Sequence, residues 1–167
     1  MYYADASRVC LEPCVPYGWQ FPDEDVFMPS AKGKGLNCFG LLTRTNKLMF
    51  STTTQNINST FVFEYLDRLS FMLEKPTVIV LDNASVHTAK IIQQQRNVWE
   101  ERGLILFYLP PYSPQLNLIE ILWKMLKYYW LKPEDYVEEQ LLFYKITLAL
   151  AAVGNTLNIN FSDLALV

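Results

Sequence analysis

The stretch Val78-Ile79-Val80-Leu81-Asp82-Asn83 decides the fold. From Thr77 to Leu81 the chain is apolar without alternation, which reads as a strand covered on both faces in the middle of an α/β sheet. An aspartate ending such a strand lies in the crevice beyond the carboxyl ends of the strands, where ligands bind these sheets. A plainer role is also open to Asp82 and Asn83, as caps of a helix starting near Thr88, because Asx residues are common in strand-to-helix turns.

A second carboxylate follows one helix and one strand later. In Leu109 to Trp123, Asn117 reads as an N-cap, and Ile119, Leu122, Trp123, Leu126 and Trp130 recur at helical spacing as a buried stripe. Glu120 lies beside that stripe in the first turn. The position suits the helix dipole, and with Asn117 three residues earlier it would close a capping box. The preceding Pro-Pro-Tyr-Ser-Pro is a stiff, extended approach that fixes where the helix starts, as expected when one of its side chains must be aimed.

The opening segment, Met1 to Leu11, reads as a strand with Asp5 in its middle. A charge inside a strand is costly unless it is paired or binds a cation. If this strand neighbours the Val78 strand, Asp5 and Asp82 face each other across about 5 Å of backbone spacing. Three carboxylates in one pocket would repel and partly protonate, whereas one or two divalent ions would neutralise them. An all-oxygen donor set suits magnesium or manganese rather than zinc. Two such ions about 3.5 to 4 Å apart support in-line displacement at phosphorus.

The remaining elements order themselves around these. After the first strand comes a Pro- and acid-rich loop, Glu12 to Pro29, then strands at Leu36 to Thr43 and Lys47 to Thr54, joined as a hairpin at Thr45 and Asn46. A helix from about Ser59 to Leu73, with Val62, Tyr65, Leu66, Leu69 and Met72 on one side, returns the chain to the Val78 strand as a crossover. A helix from Thr88 to Glu101, a strand from Leu104 to Leu109 and the Glu120 helix follow. A last helix, Pro133 to Val153, with Val137, Leu141, Leu142, Ile146 and Ala149 as its apolar side, is expected to pack on the sheet. The expected class is α/β, a mixed five-stranded sheet of three antiparallel strands and then two parallel ones, flanked by helices.

Composition fits one catalytic domain over residues 1–167, with 51% hydrophobic and 14% aromatic residues for a core. Charged and polar residues interrupt every apolar run, so no membrane segment is expected. There is no basic region followed by an apolar one at the N-terminus, and the protein is expected to be intracellular, in the cytoplasm or at the nucleoid. A net charge of -3 and a pI near 5.2 argue against tight autonomous DNA binding, although part of the acidity belongs to the proposed cation site. Cys10, Cys14 and Cys38 lack paired metal-ligand spacing and read as reduced thiols.

Four segments carry a resemblance: Tyr3 to Asp5, Tyr17 to Trp19, Leu81 to His87, and Leu109 to Lys127. Together they closely resemble the catalytic domain of the IS630/Tc1/mariner superfamily of DDE transposases, the IS630 branch in particular. The resemblance implies an RNase H-like fold, in which the first and fourth strands are adjacent. It also implies Asp5, Asp82 and Glu120 as catalytic, metal-binding residues, and DNA cleavage and joining with Mg2+ or Mn2+. Ala6 stands where the family usually has an acidic residue, and Leu118 where it has proline. The family's N-terminal helix-turn-helix DNA-binding region has no counterpart in this sequence. It therefore reads as the catalytic half: a fragment, one product of a split reading frame or a truncated element.

The expected activity is two-metal-ion phosphodiester hydrolysis and strand transfer, with transposon ends and target DNA as partners and a homodimer once assembled on DNA. Lys124 and Lys127, at helical spacing after Glu120, are candidate contacts to DNA phosphates, or else a solvated face with a Glu120–Lys124 pair. His87 would approach the scissile phosphate or attacking water, or would make a structural hydrogen bond at a helix start. Tyr112 and Trp19 are candidate base-stacking groups or packing residues. Two other readings stand beside this one: a catalytically silent transposase remnant that binds DNA or protein, and another RNase H-like nuclease.

Overall fold

The computed structural model describes residues 1–12, 31–111 and 113–161. The motif Tyr17 to Trp19, Cys14, most of the Glu12 to Pro29 loop and Tyr112 lie outside the described residues. The sequence folds into strands β1 (Tyr2–Leu11), β2 (Ala31–Leu42) and β3 (Leu48–Thr53), helix α1 (Ser59–Phe71), strand β4 (Thr77–Leu81), helix α2 (Lys90–Glu101) and strand β5 (Leu104–Tyr108). Helices α3 (Ile119–Met125) and α4 (Glu139–Ala152) complete it. The strands form one mixed sheet in the order β3-β2-β1-β4-β5. β1 pairs antiparallel with β2 and parallel with β4, and β4 pairs parallel with β5. The crossover through α1 therefore lands β4 beside β1, the adjacency that the family resemblance implies.

Alternation along the strands feeds two cores, one on each face. Ala4, Phe39, Leu41, Ile79, Leu81, Leu104 and Leu106 pack against α1 and α2 through Val62, Leu66, Ile92 and Trp99. Tyr3, Val9, Cys38, Leu42 and Val80 pack on the opposite face against Ile119, Leu122, Trp123, Leu126, Leu142, Ile146 and Leu150 of α3, its extension and α4. The period of two puts Asp5 and Asp82 on the α3 side, with Tyr3 and Val80. Tyr2 pairs with Ile79 and Tyr3 with Val80, so continuing the register by two residues sets Asp5 level with Asp82.

Several element ends differ from expectation. Helix α1 closes at Phe71, leaving Met72 as a C-cap that is 66% exposed, while Leu69 and Ser70 of the last turn stay buried. The hairpin turns at Arg44 and Thr45, and Asn46 takes a positive φ of 61° after it. Asn46 donates from Nδ2 to the Ile159 carbonyl at 3.0 Å and accepts at Oδ1 from the Ile159 amide at 2.7 Å, tying the hairpin to the C-terminal segment. The last helix is shorter than expected. Pro133–Tyr136 is a 3-10 turn, and Val137 is 65% exposed because it falls in the break before α4. Helix α4 reaches β2 and β3 with Leu142 and Ile146 on its buried side.

Helix α3 lies close against the sheet because β2 offers no side chain there. Gly40 pairs with Asp5 across the ladder, and a Cβ on it would sit 3.1 Å from Ile119 Cδ1 and 3.2 Å from Trp123 Cη2. A glycine inside a strand marks such an approach. Asn117 adds a tie, donating from Nδ2 to the Ala4 carbonyl at 3.2 Å. Gly40→Val should lower the unfolding free energy by roughly 1–3 kcal/mol through overpacking, read from a urea titration. A neutral result would show that α3 does not rest on Gly40.

Candidate functional site

The site forms at the carboxyl end of β4, where the chain passes the acidic residue of the neighbouring β1. Asp5 sits within β1, Asp82 follows the last residue of β4, and one ligand atom from each lies within 4.8 Å of the other and of His87. Asp82 is not the cap of a helix. Its Oδ1 accepts the Ala84 amide at 3.1 Å, closing a tight Asx turn, while α2 starts only at Lys90 without a side-chain cap. Asn83 Nδ2 donates to the Leu109 carbonyl, and Leu109 donates its amide to Leu81 at 2.8 Å. These bonds hold the Asp82 turn against the exit of β5, and a cleft opens between Asn83–Ala84 and Leu109–Pro111.

His87 lies beneath Asp82 rather than in the cleft. Its ring is 1% exposed, Nδ1 is 2.6 Å from Asp82 Oδ1, and its carbonyl accepts the Tyr108 hydroxyl at 2.8 Å. An ionised carboxylate only accepts, so Nδ1–H is the donor in that pair. The ring presents no edge to a nucleic acid, which favours the structural hydrogen bond among the two roles open to it in the sequence. Its Nε2 is buried without a hydrogen-bond partner.

Glu120 leads the first turn of α3 and stands at the solvent rim, outside the 4.8 Å group. The expected capping box does not form. Asn117 turns its side chain to β1 instead, and the helix start carries no side-chain cap. The expected stripe is buried at Ile119, Leu122, Trp123 and Leu126, with Trp130 half-buried in a π-helical continuation, Leu126–Trp130. Trp123 contributes more than packing, since its Nε1 donates to Asp5 Oδ2 at 3.1 Å. A buried tryptophan on a stripe that leucine would fill is the sequence signal for that bond, because its N–H must find an acceptor. Lys127 is half-buried and its charge bears on Glu120; Lys124 is exposed.

The electrostatics tie all three carboxylates together. Burial pushes the Asp5 carboxyl up from 3.8 to about 7, helped by the charge of Glu120 and then of Asp82, against a hydrogen bond from the Ala6 amide. Partial burial raises Glu120 as well, followed by the Asp82 charge, with Lys127 opposing. Asp82 moves the other way, held low first by the His87 hydrogen bond and also by the Ala84 amide, against its own burial. One carboxylate kept ionised beside two that resist ionisation is a donor set short of positive charge. Hard oxygen donors of that kind fit a divalent cation of the magnesium class.

The sheet order and helix placement define an RNase H-like α/β fold. Residues 1–141 match the sequence family described as DDE superfamily endonuclease, and the chain belongs to that family. No curated protein matches it in sequence. Among solved structures it is similar to the Mos1 strand transfer complex, at 14% identity with a TM-score of 0.55 over 93% of this chain and 51% of that one. It is also similar to the Mos1 mariner paired end complex with Mn, at 13% identity and a TM-score of 0.57 over 90% and 52%. The simian T-cell lymphotropic virus intasome gives 16% identity and a TM-score of 0.60 over 82% and 49%. The chain thus spans about half the length of these relatives. No helix among the described residues is long and apolar enough to cross a membrane.

The raised Asp5 group has a measurable consequence. The folded state keeps a proton on Asp5 that the unfolded chain loses above 3.8, so the native state binds more protons in this window. In EDTA, stability should therefore fall as pH rises from about 4 to about 7. Glu120, raised as well, adds to the fall, whereas Asp82 works in the opposite sense, but only below its ordinary range. Asp5→Asn should reduce the slope to what Glu120 contributes and raise the stability at pH 7 by roughly 4 kcal/mol, read from urea titrations across pH. A wild-type profile with no fall between those limits would mean that Asp5 ionises as freely as in the unfolded chain.

Proposed function

We propose that this chain is the catalytic domain of an IS630-type transposase, one unit over residues 1–167. Asp5, Asp82 and Glu120 are its catalytic residues and the ligands of two divalent cations, Mg2+ or Mn2+. The observation that carries this reading is the approach of Asp5 to Asp82 at the carboxyl edge of β4, with the charge of Glu120 felt at Asp5. The similarity to the Mos1 strand transfer complex and to the Mos1 mariner paired end complex with Mn supports the same chemistry. When bound, the cations supply charge neutralisation for in-line displacement at phosphorus.

The chain's own residues supply position. Asp82 offers an ionised oxygen held by the Asx turn. Asp5 would hold a cation as the carboxylate, and since its proton is kept up to about pH 7, cation affinity is expected to rise with pH through that value. Glu120, on the rim, would be the third ligand of the set. Lys124 and Lys127, on the same helix, take DNA phosphates, and positioning of this kind supplies much of the rate in phosphoryl transfer. The substrates are transposon ends and then target DNA, the products free 3' hydroxyls and joined strands, and the assembly on DNA is a homodimer.

Asp82→Asn tests the reading. The variant should keep the wild-type circular dichroism spectrum while manganese-dependent nicking of duplex DNA drops by about 100-fold or more, as when one electrostatic group is removed from an active site. Nicking at the wild-type rate would sink the assignment of Asp82. Wild-type cleavage of RNA–DNA hybrid in preference to duplex DNA would redirect the function to another RNase H-like nuclease. In thermal melts at pH 7, millimolar Mn2+ should raise the wild-type midpoint and leave Asp82→Asn unchanged.

A further inference from the structure

Asp5 is the carboxylate with most reason to turn away. It faces the charges of both Glu120 and Asp82, and an aspartate side chain has alternative staggered positions open to it. A ring from the neighbouring helix meets it. Trp123 is 3% exposed, its ring stands over Gly40 at the distance where a Cβ would touch, and its Nε1 donates to Asp5 Oδ2 at 3.1 Å. The indole is thus clamped between β2 and α3, with a single rigid N–H aimed at the carboxylate. That donor is neutral, so it fixes the oxygen without a second positive charge to compete with a cation.

The arrangement at Asp82 is parallel, since His87 Nδ1 reaches Asp82 Oδ1 at 2.6 Å from a buried ring. Each of the two closest carboxylates is therefore held by one ring N–H from outside the acidic set. Metal sites use partners of this kind to orient their ligands, and losing one typically costs about 10- to 100-fold in metal affinity.

We propose that Trp123 is a positioning residue, whose indole N–H holds the Asp5 carboxylate toward Asp82 in the orientation that binds a divalent cation. The proposal rests on the reading of Asp5 as a cation ligand. It gives the tryptophan two tasks at one position. The ring packs α3 onto the sheet beside Gly40, and the N–H orders the carboxylate that the same packing brings near.

The test is a titration of the purified chain with Mn2+, following free manganese by electron paramagnetic resonance, for wild type, Asp82→Asn, Trp123→Phe and Ile119→Val. Trp123→Phe removes the N–H and keeps an aromatic ring; Ile119→Val loosens the same packing without touching the bond. Trp123→Phe should bind manganese about 10-fold more weakly, while Ile119→Val binds as wild type does. Equal affinity for Trp123→Phe and wild type, or an equal loss in Ile119→Val, overturns the positioning role and leaves the function standing. Wild-type binding that Asp82→Asn does not reduce overturns the function and this inference together. Should Trp123→Phe fail to fold, benzothienylalanine at position 123, with sulfur in place of N–H at nearly the same volume, is titrated instead with the same expectations.

Discussion

The parallel pairing of β1 with β4 is the constraint on which the site depends. β1 and β4 are far apart in sequence, and α1 alone carries the chain across the sheet so that Tyr3 meets Val80. Once that register is set, the period of two sends Asp5 and Asp82 to the same face and the same level. A shift by one residue would turn Asp5 into the core that holds Ala4, Phe39 and Ile79. The apolar run ending at Leu81 thus serves both as an interior strand of the sheet and as the support of Asp82.

Bringing carboxylates together opposes folding, and the neighbourhood of the site shows how that opposition is met. Burial and the two neighbouring charges keep a proton on Asp5, up to about pH 7. His87 and the Ala84 amide keep Asp82 ionised, so the acidic groups do not all ionise against one another. The rest is steric: Gly40 lets α3 approach, Asn117 fastens its start to the Ala4 carbonyl, and Trp123 closes on Asp5. Each contact is ordinary in size. Their joint effect is to hold a region of excess negative charge open on one side, which is the side facing solvent.

Much of this was legible in the sequence, because hydrophobic period reports directly on what is buried. The five strands, the crossover and the stripe from Ile119 to Leu126 follow from spacing alone. The ends of elements do not, because they depend on contacts between segments distant in sequence. Asn117 has the composition of an N-cap, yet a long-range bond to Ala4 wins over the local one. Val137 fits the apolar side of a helix that the 3-10 turn at Pro133 interrupts. His87 is a polar residue in a loop, and only the closeness of β5, through Tyr108, shows that it is buried. The same limit applies to Trp123, whose place on the stripe signals that its N–H has an acceptor, while only the fold shows that the acceptor is Asp5.

The central claim is that Asp5, Asp82 and Glu120 form one cation-binding cup. Diffraction from crystals grown with Mn2+, with anomalous scattering collected at the manganese edge, tests it most directly. The account predicts an anomalous peak between Asp5 and Asp82, with the Glu120 carboxylate turned in from the rim to complete the coordination. A peak elsewhere on the chain, or none between Asp5 and Asp82 at saturating manganese, would contradict it.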